Sequence, residues 1–493
     1  MKKISRMSLL LCVLLLAQML CVPVFATETE PPETALATMP EYTADELGAV
    51  TVTSGCRTLD AQVPLGGSNP MLKTAKAAFI YEVNTNTVIY AYNPDLTISP
   101  GSLAKLVTAI VAIENGDLDK ELTVNSMSYK TLPGSAVGVN AKLKEGEKMT
   151  LRDMLHCMIM IWANDAAVTI AESVAGTQEN FVQMMNQWVH DAGCENTKFT
   201  NVHGISSVEA KTTARDMVRI YQKACKNSEF KKLLATTAYT IAPTNTTETE
   251  RKLQARNYLM EEYILSKYNY DGVTTGYAPY GANYGAHLVC TAETNGMSFV
   301  AVLLGAEREF AGSSGLPTYY GNFEEAWTLL DFAFDGYKIC RLLHESQSLY
   351  QFTVSGGENQ VVGQSGTAMD AILPVTARMK NLLYKYTVKS GGLTAPIAKG
   401  DTIATLQIWY QNSCIAETEL QAMSSVRAVS ADNLNLRKGG GGGADLKGIL
   451  AFIGIVCLVI FVPFAIYLIV NNLRRAMARN RRRRRRQSRR RSR

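Results

Sequence analysis

Two stretches of period-two apolar alternation, set at either end of a long helical middle, constrain this chain most. "AAFIYEVNTNTVIYAYN" (Ala77–Asn93) reads as two strands around a turn at Asn84 to Asn86. "AHLVCTAETNGMSFVAVLLGA" (Ala286–Ala306) reads as two more, around a turn at Thr294 to Gly296. Between them helical signals dominate to about Leu234. "TLRDMLHCMIMIWANDAAVTIAESVAG" has a helix start at Thr150, long apolar stretches, and Gly176 as a stop. A lone hairpin cannot bury its face, so strands at both ends of a helical block predict an α/β domain whose sheet is closed by distant segments.

The 493 residues leave room for more. From about Tyr350 to Val429 short β-like runs alternate with Gly, Asn and Ser turns, as in "DTIATLQIWYQNSCIAETEL", which predicts a small all-β domain. The first 26 residues carry the marks of a secretory signal: Lys2, Lys3 and Arg6, an apolar core from Leu9 to Leu20, and small residues at Val24-Phe25-Ala26. Thr27 to about Met71 reads as a flexible lead-in, rich in Thr, Glu, Pro and Ala. After a glycine-rich linker (431–447), the run Ile449 to Val470 is long enough to span a bilayer as a C-terminal transmembrane helix. An Arg-rich tail follows. Its 13 arginines exceed the whole net charge of +6, so the remaining chain is acidic and a nucleic-acid reading would rest on the tail alone. Basic residues after a span mark the cytoplasmic side, and anionic lipid is the expected partner of the tail, with nucleic acid or a protein as alternatives. The expected layout is an exported domain (72–345), a β-rich domain (346–430), and an anchor in the cell membrane. The seven cysteines outside the signal and the span are scattered and contain no CxxC pair, which argues against a zinc site or a dense disulfide framework.

The chemistry concentrates in "SPGSLAKLVTAIVAIENG". Pro100 and Gly101 break the preceding structure, and Ser102 suits a helix cap. Leu103, Leu106, Val107, Ile110, Val111 and Ile113 cover nearly every direction of the helix, which predicts burial on most sides. Lys105 is anomalous there, because burial favours a neutral amine, and a neutral amine is a base. One helical turn separates it from Ser102, whose hydroxyl needs a base to become a nucleophile. The alternative is a cap at Ser102 with Lys105 snorkelling to water.

The surrounding motifs resemble those of the penicillin-binding protein and serine β-lactamase superfamily, specifically the low-molecular-mass D-alanyl-D-alanine carboxypeptidases. "SLAKLVTA" is similar to the nucleophile helix with its S-x-x-K, "MTLRDMLHCMIMIWANDAAVTIAE" to the second-motif helix, and "YDGVTTGYA" to the K-T-G segment. "AKAAFIYEVNTNTVIYAYN" resembles the opening hairpin of the family, and "KFTNVHGISSVEAKTTARDMVRI" a further segment typical of it. The resemblance implies a transpeptidase-like α/β fold with a sheet flanked by helices. It implies Ser102 as nucleophile, Lys105 as base, and Asn164 orienting Lys105 and a substrate amide. Thr274, Thr275 and Gly276 would hold the substrate, with Trp162 beside them. Backbone N–H groups of Ser102 and of a residue near Tyr277 would form the oxyanion hole. The implied substrate is a peptidoglycan stem peptide, β-lactams are implied covalent ligands, and no metal or cofactor is required.

Two departures stand out. Trp162 occupies the place of the family's second-motif serine, and an indole only donates. Thr274 replaces its third-motif lysine and carries no charge. Proton-transfer groups typically contribute about 10²- to 10⁴-fold to rate. A carboxypeptidase homologue is therefore the leading expectation, a non-catalytic scaffold that binds wall peptide or a partner is the alternative, and a hydrolase of changed specificity the third. His203 is read as stabilising a turn, and Arg215 with Asp216 as an ion pair at a helix start.

Overall fold

Both predicted hairpins form, and they share one sheet. The computed structural model describes residues 59–60, 62, 64–65, 70–125, 139–205, 207–260, 265–310, 317–388 and 392–429. The expected signal, linker, membrane span and tail, and most of the lead-in, lie outside these residues. Among the described residues no helix is long and apolar enough to cross a membrane.

Strands β1 (Ala77–Glu82) and β2 (Thr87–Tyr92) make the first hairpin. Strand β3 (Val273–Tyr277) precedes the second, β4 (Gly285–Thr294) with β5 (Met297–Ala306). The antiparallel order is β2-β1-β5-β4-β3, so the start of the domain lies against its distant end, with Ile80 opposite Ala301. All six residues of β1 are buried, as a central strand covered on both faces requires. Alternation sends Phe79, Tyr81, Val302 and Leu304 to one apolar core and Ala78, Ile80, Ala301 and Leu303 to the other.

The first core is capped by α1 (Ala104–Asn115), α2 (Leu151–Met160), α3 (Asn164–Ala175), α4 (Gln178–His190), α5 (Ala214–Ala224) and α6 (Ser228–Ala235). Every residue of α1 from Ala104 to Ala112 is buried, which makes it the internal helix of this layer. Thr150 caps α2, its hydroxyl oxygen accepting from the Asp153 N–H at 3.1 Å. The second core is covered by α7 (Gly321–Gly336) and runs on into the β-rich segment. There β6 (Tyr337–Leu343) pairs with β9 (Met369–Pro374). The strands β7 (Ser348–Phe352), β8 (Val361–Ser365), β10 (Leu382–Val388), β11 (Thr402–Tyr410) and β12 (Ser413–Ala422) form a sheet of order β7-β8-β12-β11-β10. The expected α/β domain followed by an all-β segment is therefore present. A separate small unit holds, among the described residues, Gly356–Glu358 and Arg427–Val429, where Gly357 bridges Ala428.

The helical middle also holds a short strand pair, Glu121–Thr123 with Lys148–Thr150, and departs from its sequence reading again after Thr150. The apolar run after Thr150 is two helices, α2 and α3, broken at Trp162, whose φ is +64°. A bulky residue seldom adopts that left-handed conformation, which costs of order 1–3 kcal/mol.

Candidate active site

Gly101–Leu103 is a single 3₁₀ turn leading into α1. The first residue of α1 is Ala104, and neither the turn nor the helix has a side-chain cap. Ser102 is thus not the helix cap that its position suggests. Its half-buried hydroxyl lies 3.3 Å from the Lys105 amine instead. The turn is backed by Gly204, at φ +78°. A Cβ there would lie 1.9 Å from the Gly101 carbonyl oxygen, so only glycine lets the two segments meet.

Lys105 does not snorkel. It is 0 % exposed. Its amine donates to Asn164 Oδ1 at 2.7 Å and to the His203 carbonyl at 2.5 Å. Burial pulls its pKa from 10.5 down to about 7, opposed in part by the Asp165 carboxylate. Asp165 is itself buried and accepts from the N–H groups of Ala141, Leu143 and Ala166. In the neutral form two N–H bonds of Lys105 meet two pure acceptors. Its lone pair is then left for the Ser102 hydroxyl proton, the arrangement a serine nucleophile needs.

The loop that supplies the His203 carbonyl is tied to α1, because the Thr108 hydroxyl donates to the Val202 carbonyl at 2.7 Å. The His203 ring accepts from the Ile205 N–H at 3.1 Å, the turn-stabilising role expected of it. Burial, then the neighbouring Lys105, push its pKa down to about 3. The expected pairing of Arg215 with Asp216 does not form. Adjacent residues on a helix diverge, so Arg215 holds Asp95 at 2.7 Å while Asp216 holds Arg219 at 2.8 Å.

Asn164 opens α3 directly after the break, so the second motif is a corner that delivers the Asn164 amide to Lys105. Trp162, at that corner, lies under the Arg256 guanidinium, 4.7 Å from its ring centroid. Trp162, Arg256, Asn257, Gly276, Tyr277 and Ala278 border a cavity of ≈ 10 Å³, about the space of one water. Trp162 and Arg256 thus pack beside Gly276 and Tyr277 of β3.

β3 is the edge strand expected to pair with a peptide. Thr274 is exposed, and its hydroxyl lies 3.5 Å from the Thr291 carbonyl. Thr275, expected at the substrate, turns the other way: it is buried and shares a hydrogen bond with the Tyr221 hydroxyl at 2.9 Å. Gly276 leaves room for Asn257, whose Nδ2 would sit 2.5 Å from a Cβ there. That buried Nδ2 has no hydrogen-bond partner, nor has the buried Tyr277 hydroxyl. Arg308, unremarked in the sequence, is packed between Tyr280 and Tyr320, 4.5 and 4.8 Å from their centroids, with Nε and Nη2 unpaired. It and Arg256 place positive charge near a site whose third motif has lost its own. Lone arginines outside any motif give no sequence signal for such a role.

Comparison with known proteins agrees with this geometry. Residues 67–308 match the family model described as D-alanyl-D-alanine carboxypeptidase, and residues 341–428 the one described as penicillin-binding protein 5, C-terminal domain. The D-alanyl-D-alanine carboxypeptidase DacA of Haemophilus influenzae is 27% identical over 370 residues, covering 73% of this chain and 87% of the relative. DacF of Bacillus subtilis is 26% identical over 353 residues, covering 72% and 86%. The crystal structure of penicillin binding protein 5 from Haemophilus influenzae superposes with a TM-score of 0.57 at 25% identity, over 73% of this chain and 100% of that one. That of DacD from Francisella tularensis, at 21% identity, shares the fold with a TM-score of 0.58 over 75% and 97%. With the serine, the buried lysine and the asparagine converging on one turn, the chain belongs to the D-alanyl-D-alanine carboxypeptidase family of low-molecular-mass penicillin-binding proteins.

Proposed function

We propose that this chain removes the terminal D-alanine from peptidoglycan stem peptides through an acyl-enzyme on Ser102. The observation that carries the reading is the Lys105 amine, fully buried, held by Asn164 and His203, and near neutrality beside the serine. Ser102 Oγ attacks the penultimate carbonyl carbon as its proton passes to Lys105. The C–N bond then breaks, and the departing D-alanine amine takes a proton from water. Water adds to the ester, freeing the shortened peptide and restoring the serine. A β-lactam, whose strained amide presents the same carbonyl, would stop at the ester. The relatives named as carboxypeptidases support the substrate class. In this proposal the domain works outside the cell membrane, and protease accessibility on intact cells tests that orientation.

A second reading has its own observation. Trp162 and Arg256 stack beside β3, and Thr274 brings no charge. Both favour a scaffold that binds wall peptide or a partner without turnover, or a hydrolase for donors lacking a free carboxylate. Incubating the purified protein and Ser102→Ala with a fluorescent penicillin separates these readings. Serine-dependent covalent labelling sinks the scaffold. Absence of labelling together with absence of D-alanine release from a pentapeptide sinks the enzyme.

A further inference from the structure

We propose that Tyr284 is an access-controlling residue, a phenol packed on the turn that carries Ser102, which an acyl donor must displace. This inference rests on the reading of Ser102 as nucleophile. Tyr284 lies at the tip of the β3–β4 connection, next to two exposed residues, Ala282 and Asn283. Its ring nevertheless turns inward. A Cβ on Gly101 would lie 2.5 Å from that ring, and one on Gly281 would lie 2.9 Å from the hydroxyl. The two glycines make the pocket into which the phenol fits. There the phenol packs against the Gly101–Leu103 turn that carries Ser102, close enough to act electrostatically on it. The N–H of Ser102, the donor expected to stabilise the tetrahedral intermediate, belongs to that turn, so a ring seated on it stands in the way of an incoming carbonyl.

The ring is held from below. It stacks on His287 with centroids 5.0 Å apart and planes 22° from parallel. The imidazole is fixed as one neutral tautomer: Nδ1 accepts from the Gly305 N–H at 2.9 Å, and Nε2–H donates to the Ser99 carbonyl at 3.1 Å. Ser99 leads into the nucleophile turn, so one buried residue braces both the approach to that turn and the tyrosine above it. The way out is local. Gly285, at φ +85°, follows Tyr284, and Gly281 pairs with Gly285 across the tip. Rotation at the two glycines lifts the tip without disturbing the long pairing of β4 with β5.

The test uses the full-length chain with Ser102→Cys, which introduces a thiol that iodoacetamide alkylates whether or not the protein turns over substrate. Modification at position 102 is followed by peptide mass mapping, which separates it from the native cysteines. Adding Tyr284→Ala should speed alkylation about tenfold or more, as expected if the open state is a minor population. Tyr284→Phe, which keeps the ring packing and loses the hydroxyl, should give a smaller rise and serves if the alanine variant misfolds. Unchanged or slower alkylation in a folded variant overturns the proposal. On the native serine, Tyr284→Ala should label faster with fluorescent penicillin; slower labelling would make the phenol an oxyanion donor and also overturns it. A chain that never acylates, yet whose introduced thiol is unmasked by Tyr284→Ala, upholds the latch and sinks the carboxypeptidase reading alone.

Discussion

Lys105→Met removes a buried amine while keeping an unbranched side chain of similar reach, and its effect on stability should depend on pH. Lys105 has a pKa of about 7 in the folded protein against 10.5 when free. Between those values the unfolded chain binds more protons than the folded one, so the wild type gains stability as pH rises. Below pH 7 the penalty is constant, and at 1.36 kcal/mol per unit it amounts to about 5 kcal/mol. It fades through pH 10.5. From pH 7 to pH 9 the wild type should gain about 2 kcal/mol relative to Lys105→Met. The variant also strands two acceptors, Asn164 Oδ1 and the His203 carbonyl, at about 1–3 kcal/mol each. That loss does not vary with pH, and other titrating groups cancel between the two proteins. Urea unfolding of both at pH 7, 8 and 9 reads the difference directly. A stability gap that stays constant across the series would refute a neutral, desolvated Lys105.

The same amine sets the chemistry. If acylation is detectable, its rate with fluorescent penicillin should rise roughly 30-fold from pH 5.5 to 8.5 with an inflection near 7, following the neutral amine; a flat profile removes Lys105 as the base. Gly204→Ala should cost more than about 2 kcal/mol in urea unfolding, since its Cβ meets the Gly101 carbonyl and its φ is +78°; a loss within about 0.5 kcal/mol contradicts the close approach. Restoring the family residues with Trp162→Ser and Thr274→Lys together should raise D-alanine release by about 10²-fold or more, and no gain would mean that these two positions do not limit the site.

The hairpins were legible because period-two alternation and Asn-rich turns are local signals, and the sheet pairs them as expected. Ser102, Lys105 and Asn164 were legible because side-chain identity and order carry the motif. Three features were not. The break at Trp162 has no Gly or Pro to announce it and lies inside a continuous apolar run. The His203 carbonyl is part of the lysine cradle, and a backbone acceptor leaves no trace in residue identity. Tyr284 and Arg256 reach the site from irregular segments, and Arg308 from a three-residue strand, all on paths that depend on tertiary packing. Thr275 shows the converse: a motif residue whose name suggested a substrate contact spends its hydroxyl on Tyr221 inside the domain.

The enclosure of Lys105 also governs how its proton leaves. The amine has no surface of its own, and two of its three partners, an amide oxygen and a peptide carbonyl, have no proton to exchange. Only the Ser102 hydroxyl can relay a proton outward. Acylation esterifies that oxygen and closes the relay, and Trp162 offers no second hydroxyl in its place. An acyl-enzyme formed on this serine would trap its base in the protonated state. Such an adduct should hydrolyse slowly, which makes deacylation the slower half of the proposed cycle.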